Sequence, residues 1–323
     1  MMKHSDATGI LCIGEALVDM ICTDRGRSLS EGEHFLRKPG GAPTNVAAAI
    51  AALGGDVRLA AKVGADPFGQ MLHDVMRSFG VDIRHLRQDP DHFTTLAFVS
   101  LMEDGERDFH FNRGADGHLG PDDVGDISLD GLAILHFGSA TAFLPGPLQE
   151  AYRALHDRGR AAGRFLSFDP NYRHLLYRDR IPSFREQSGY FIRHCDFFKV
   201  SDEEALLITA AGDLAGAARA LRAMGPAVFA ITLGREGTLL CVGDETAVVP
   251  SIPVEVTDTT GAGDAFVGAV LYLLASRHAL DMRGVGMAGW QRIIALANRA
   301  GARTCEHLGA MEAFRHLDVR IFD

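Results

Sequence analysis

Long hydrophobic runs are missing from this chain. No stretch of about 18 uncharged apolar residues occurs, which excludes a membrane-spanning helix. Cysteine is scarce and shows no paired spacing: Cys12, Cys22, Cys195, Cys241 and Cys305 are odd in number, scattered, and never form CxxC. That usage argues against a disulfide framework and predicts reduced thiols in a cytoplasmic protein. The 14 histidines fall in neither HxxxH nor HExxH spacing, so structural zinc is not expected. Basic charge is outweighed, with 32 Lys and Arg against 42 Asp and Glu for a net charge of −10. Nucleic acid and anionic membrane are therefore not expected as partners. Any phosphate site must be built locally, from backbone N–H groups and a few placed cations. No GxxxxGK[ST] loop is present. The only GxGxxG, Gly284 to Gly289, lacks the strand that should precede a dinucleotide fingerprint, so a nicotinamide enzyme is poorly supported. The N-terminus is polar and leads straight into a strand, unlike a signal peptide.

What is present is an alternation of short apolar runs with helical patterns. The 323 residues, 47% hydrophobic with 36 glycines, suffice for one large α/β domain and a substantial core. Runs at 10–13, 57–63, 83–87, 132–137, 165–169, 197–200, 228–232 and 239–242 predict strands. Helical patterns at 46–53, 69–79, 148–158, 203–209, 214–224, 265–277 and 287–305 fall among and after them. Such alternation predicts a doubly wound, mostly parallel sheet flanked by helices. Strand-like segments at about 15–38 and 90–112 predict a small β-sheet lid inserted into this single domain. In the second, Asp104-Gly105 is a turn dipeptide between two alternating runs, which predicts a β-hairpin.

The stretch Val256-Thr-Asp-Thr-Thr-Gly-Ala-Gly-Asp-Ala-Phe266 organises the chemistry. Gly261, Ala262 and Gly263 carry almost no side chain and stand where a helix begins, so their backbone N–H groups can cradle an anion. Asp264 beside them suits a base that deprotonates a nucleophile while the cradle stabilises the group attacked. The same residues would also serve as a glycine-rich turn capped by Asp264. Earlier, Lys38-Pro-Gly-Gly-Ala-Pro-Thr-Asn45 opens directly into a helix. Gly40 and Gly41 permit close backbone approach, and Asn45 offers a donor and an acceptor suited to a vicinal diol. Asp19 is a carboxylate inside an apolar strand pattern, buried or at a rim. Asp169 to Arg173 follows a strand, at the end where open α/β sheets bind ligands. Lys199 to Glu204 brings three carboxylates to a helix start, for capping or for Mg²⁺ through water. Thr232-Leu-Gly-Arg-Glu-Gly237 makes a tight turn after a third strand.

With Gly40-Gly-Ala-Pro-Thr-Asn-Val-Ala47 early and Asp258-Thr-Thr-Gly-Ala-Gly-Asp264 more than two hundred residues later, the chain resembles the ribokinase-like (PfkB) family of sugar kinases. The resemblance spans essentially the whole sequence and includes Val63-Gly-Ala-Asp-Pro-Phe-Gly69 and Thr232-Leu-Gly234. It implies transfer of the ATP γ-phosphoryl group to a sugar hydroxymethyl group, with Mg²⁺. By resemblance Asp264 is the base, and Gly261, Ala262 and Gly263 form the anion hole. Asp19, Gly40, Gly41 and Asn45 match the sugar ligands. Ser201, Thr232, Gly234, Gly237, Gly263 and Asn298 match the nucleotide side. Ser201 replaces an Asn found in many members, which weakens the direct nucleotide contact expected there, and Glu204 matches the Mg²⁺-associated Glu. Asp258 and Thr260 match a monovalent-cation site for K⁺, although 309–313 lacks the family's proline. Gly14-Glu-Ala-Leu-Val-Asp19 and Asn112-Arg-Gly-Ala-Asp116 are most similar to fructokinases, which implies fructose 6-phosphate as product. Arg113 would then face the sugar from the lid, with Phe98 and Phe111 as covers or as ordinary strand core. Kinases of ribose, 2-keto-3-deoxygluconate, nucleosides or aminoimidazole riboside share the fold, as would a non-catalytic homologue that only binds. For a 2-keto acid, Arg113 or Arg173 would meet the carboxylate. The family also implies a homodimer joined through lid strands.

Overall fold

Short apolar runs rich in β-branched and aromatic residues become the strands of a nine-stranded sheet. The computed structural model describes residues 7–24, 26–102, 107–276 and 282–322. In chain order the strands are β1 (Gly9–Ile13), β2 (Leu17–Cys22), β3 (Phe35–Gly40), β4 (Val57–Gly64) and β5 (Leu86–Asp89). Then come β6 (Leu96–Leu101), β7 (Arg107–Asn112), β8 (Leu132–Phe137), β9 (Phe165–Phe168) and β10 (Phe197–Ser201), followed by β11 (Val228–Thr232), β12 (Thr238–Val242) and β13 (Glu245–Val249). The large sheet runs β13-β12-β11-β10-β9-β8-β1-β4-β5. Every pairing in it is parallel except those made by β12, as expected for strands joined by crossover helices.

The order reverses beside β1. The chain winds outward through β4 and β5, then returns to β8 on the other side and winds away through β9, β10 and β11. A crevice opens outside the carboxyl ends of strands at such a reversal, and this is where open α/β sheets take ligands. Two apolar layers cover the faces. One includes helix Ala42–Ala52, helix Ala262–Ala275 and helix Met287–Thr304, the other helix Pro147–Ala161 and helix Ile181–His194. The first two of these helices are apolar almost all round, which is why they lie inside rather than at the surface.

A second sheet of four strands, β3-β2-β6-β7, stands apart as the lid. Its strands lie at 17–22, 35–40, 96–101 and 107–112, and β6 and β7 pair antiparallel. The turn itself, Asp104-Gly105, lies outside the described residues. Helix Ile181–His194 is absent from the sequence-based expectation, although Pro182 in its first turn and the buried Phe184, Phe191 and Ile192 spell it out. Strand β13 was also unexpected: Glu245 and Thr246 are exposed, and only pairing with β12 reveals a strand. The run expected at 83–87 pairs instead at Leu86–Asp89, because a turn closed by the Leu86 N–H on the Ile83 carbonyl takes up its first residues. Among the described residues no helix is long and apolar enough to cross a membrane.

Candidate active site

Glycine sets the geometry on both sides of the crevice. Helix Ala262–Ala275 begins after Gly261, whose φ of +83° is left-handed and whose missing Cβ would otherwise lie 2.5 Å from the Ala310 side chain. Farther along, Gly268 lets helix Ala42–Ala52 pass close enough that an added Cβ would touch Ala49 at 2.9 Å. That close crossing lines up the two N-termini. It brings Asn45 to Asp264, 219 positions away, where the Asn45 Nδ2 donates to Asp264 Oδ2 at 2.8 Å.

Asp264 is buried, and burial pushes its carboxyl up to about 6, with the Asn45 hydrogen bond and the Arg173 charge pulling the other way. A base poised near neutrality is what proton abstraction needs. Asn45 Oδ1 is buried with no partner, so this carbonyl is left to accept from something entering the crevice. Across the crevice Asp19 lies on β2, opposite Lys38 on β3. Burial raises its carboxyl to about 6 as well, and again Arg173 opposes the rise. Arg173 thus acts on both carboxylates from the loop after β9. Gly40 packs on Asp19, where a Cβ would fall within 2.3 Å of Oδ2. Gly41, with φ of +104°, would strike the Glu15 carbonyl at 2.4 Å if it had a side chain.

Beneath the cradle lies a buried ion cluster. Lys199 Nζ is 3.2 Å from Asp169 Oδ2 and 4.0 Å from Glu204 Oε2. It is also 3.3 Å from the place a Cβ on Gly263 would occupy. Burial alone would neutralise this ammonium, but the two carboxylates outweigh it and hold Lys199 above the ordinary lysine range. An ammonium has three donors. With one engaged by Asp169, the group under Gly263 retains capacity for an anion. Glu204 accepts from Ser201 N at 2.8 Å and Tyr172 N at 2.7 Å, while Ser201 Oγ accepts from Glu204 N at 3.1 Å. This is a reciprocal helix cap that also fastens the loop after β9.

Farther along the sheet Ser201 and Thr232 stand side by side at the carboxyl ends of β10 and β11. Gly234 and Gly237 both have positive φ, and a Cβ on Gly237 would come within 2.2 Å of the Val249 carbonyl. Asn298 is engaged within the wall: its amide donates to Val249 O at 2.9 Å and Pro250 O at 3.2 Å and accepts from Thr238 at 2.6 Å. Asp258 holds Thr260 N at 3.0 Å, Thr260 Oγ1 at 2.7 Å and Gly309 N at 2.8 Å, tying the cradle's approach to 309–313. The Ala262 N–H already donates to Thr259 O at 3.2 Å. Arg113 donates to Pro145 O at 2.9 Å and Thr141 O at 3.2 Å, so this guanidinium braces the loop after β8. Phe98 packs edge-on to Phe35 across the lid, while Phe111 stacks with Phe109 on the opposite face, the one that carries Asp19.

Residues 7–316 match the model of the pfkB family of carbohydrate kinases. The chain belongs to that family. A probable fructokinase-2 of Arabidopsis thaliana is 34% identical over 307 residues, covering 94% of this chain and 92% of that protein. Among solved structures, the fructokinase of Xylella fastidiosa with bound ATP superposes with a TM-score of 0.85 at 29% identity, covering 98% of this chain and 97% of that one. A double mutant of the Vibrio cholerae O395 fructokinase, in its fructose-, ADP- and potassium-bound form, gives 0.84 at 28% identity, covering 99% and 98%. This pfkB family kinase is an ATP-dependent phosphotransferase acting on a sugar hydroxyl, and its fold is ribokinase-like.

Sequence reasoning overlooked Lys199 as the cation of this buried cluster and passed over the buried Glu15. The signal was available. Lys199 interrupts the apolar run Phe197-Phe198-Lys199-Val200, and Glu15 sits between the two apolar strands β1 and β2.

Proposed function

We propose that the protein is a fructokinase, transferring the γ-phosphoryl group of ATP to the hydroxymethyl group of fructose to give fructose 6-phosphate. The observation that carries the site assignment is the pair Asn45–Asp264: a base raised to about 6, fixed by an amide whose own carbonyl awaits a hydroxyl. Asp264 takes the proton of the attacking hydroxyl. Asn45 Oδ1 and Asp19 accept from neighbouring sugar hydroxyls, and Gly40 and Gly41 let the ring approach the backbone. The N-terminus of helix Ala262–Ala275, from Gly261 through Gly263, faces the transferring phosphoryl group, with Lys199 below to offset its charge. Ser201, Thr232, Gly234, Gly237 and Asn298 form the nucleotide wall.

Among the described residues no group of three His, Cys, Asp or Glu side chains is arranged to hold a metal ion. Mg²⁺ would be carried on the ATP phosphates and met through water, with Glu204 the carboxylate that would accept from such water. The ion supplies charge neutralisation on the phosphates. Asp258, Thr260 and backbone carbonyls would hold K⁺ beside the cradle.

A second reading rests on Arg173. A guanidinium acting on both Asp19 and Asp264 would also meet the carboxylate of a 2-keto-3-deoxy sugar acid. ATP turnover against fructose, ribose, 2-keto-3-deoxygluconate, a nucleoside and aminoimidazole riboside, with and without K⁺, decides among acceptors. Turnover is expected on fructose, raised by K⁺. Turnover confined to the sugar acid would move the assignment to Arg173, and silence on every acceptor would contradict the kinase reading of this site.

The outer half of the lid face that carries Asp19 exposes Ile21, Leu36 and Leu101. We assign this patch to a second copy of the chain, giving a homodimer joined through the lids. Leu101→Asp is expected to shift the sedimenting species from dimer to monomer; a wild-type monomer would overturn the assignment.

A further inference from the structure

Four chain crossings attach the lid to the body. They are the bend between β1 and β2, the step from β3 into helix Ala42–Ala52, the entry to β6, and the exit from β7. One hydrogen-bond network holds all four, and two buried carboxylates are its nodes. Glu15, in the first crossing, accepts from Ala42 N in the second at 3.0 Å. Its carboxylate also accepts from Ala140 N at 3.3 Å and from the Ser139 hydroxyl. Asp116 accepts from the hydroxyl of Thr95, at the entry to β6, and Thr95 Oγ1 in turn accepts from Gly114 N, at the exit from β7, at 2.9 Å. Arg113 Nε lies 3.5 Å from Asp116. Thr141, in the loop after β8, joins the two halves: its hydroxyl donates to Asp116 Oδ2 at 2.8 Å and lies 3.5 Å from Glu15 Oε2.

Glu15 is 1% exposed and Asp116 is 0% exposed, so both carboxylates have left water. A junction that only filled space would be apolar, because a buried carboxylate costs free energy unless donors surround it. Here the donors come from two of the crossings, through Ala42 and Thr95, and from the loop after β8, through Ser139, Ala140 and Thr141. Glu15 is also raised by burial, and the nearby Asp116 charge adds to the rise. The network lies at the carboxyl ends of β1 and β8, where the strand order reverses. Its Glu15 end fixes Ala42, which separates Gly40 and Gly41 from Asn45.

We propose that Glu15 and Asp116, linked through Thr141, are positioning residues that couple the set of the lid to the N-terminus of helix Ala42–Ala52. Docking of the lid over an acceptor then tightens the Gly41–Asn45 edge, and loss of the link lets the two move separately. Only the kinetic part of this inference rests on the sugar-kinase reading.

Thr141→Val keeps the shape and removes the hydroxyl, and Thr141→Ser restores it. In Thr141→Val the KM for the acceptor sugar is expected to rise about tenfold, the worth of one hydrogen bond to a charged group, with the KM for ATP and kcat unchanged. Thr141→Ser is expected to return the sugar KM to the wild-type value. Native-state hydrogen exchange gives a readout that needs no substrate. In the wild type the Ala42 and Gly114 amides are expected to exchange through one opening, with the same denaturant dependence. In Thr141→Val they are expected to separate, and in Thr141→Ser to rejoin. Equal changes in both KM values, or amides that remain together in Thr141→Val, would overturn the coupling. If no sugar is turned over but the amides separate, the kinase reading fails and the latch stands.

Discussion

Asp264→Asn is expected to lower kcat by roughly 10² to 10⁴, the usual worth of a general base. Asn45 should still donate, now to the amide carbonyl of residue 264, so sugar binding by calorimetry should stay within a few-fold of wild type. Stability is expected to move the other way. The carboxyl of Asp264 sits at about 6 in the folded protein against 3.8 for a free aspartate, so the folded state binds the proton more tightly than the unfolded chain. Its favourable contribution is complete below about 3.8 and is lost as pH rises through about 6. Above that, the ionised carboxylate costs up to about 3 kcal/mol. The amide removes that cost. Thermal melts of Asp264→Asn without ligands should therefore exceed wild type at pH 7.5, with the gap closing toward pH 4. An inactive variant that also melts lower at pH 7.5 would mean that Asp264 is a structural cap.

Lys199→Met has the second large effect, and it strikes stability and turnover together. Removing the ammonium strands Asp169 and Glu204 in a buried cluster, and breaking such a pair costs about 3–5 kcal/mol. Lys199→Met with Asp169→Asn removes one of the stranded charges, so the double variant should recover part of the melting temperature. Turnover should not recover with it. Loss of a preorganised cation beneath the phosphoryl cradle is expected to lower kcat by about 10²–10³ whichever residue stands at 169. A double variant that melts and turns over like wild type would reduce Lys199 to a scaffold residue.

The architecture was legible because each layer writes its own period. Apolar runs marked most of the parallel strands, and strand-like segments at about 15–38 and 90–112 suggested a small separate sheet. Strand β13 and helix Ile181–His194 escaped for different reasons. The first is a polar edge strand that only its pairing reveals. The second has a recognisable apolar face that follows the irregular 169–180 stretch. In the site, the Gly261–Asp264 stretch reads as a cradle with a base or as a capped glycine turn, and its pairing with the distant Gly40–Asn45 segment is what favoured the first. The Asn45–Asp264 bond was not legible, since partners 219 positions apart meet only through the close helix crossing at Gly268. Lys199 and Glu15 were visible as charges beside apolar runs, whereas Asp116 stands in the polar, glycine-rich 112–118 stretch and carried no such mark. Which carboxylate each charge meets is decided by the order of strands in the sheet, and no local pattern carries that.

Asp264 acting as a base is the step on which phosphoryl transfer here depends. The most direct measurement is kcat of the wild-type protein as a function of pH, with fructose, ATP and Mg²⁺ saturating. It is expected to rise about tenfold per pH unit below an apparent value near 6 and to level off above it. A rate that stays flat from pH 5 to pH 8, with chemistry limiting, would contradict a titrating carboxylate base and with it the central claim.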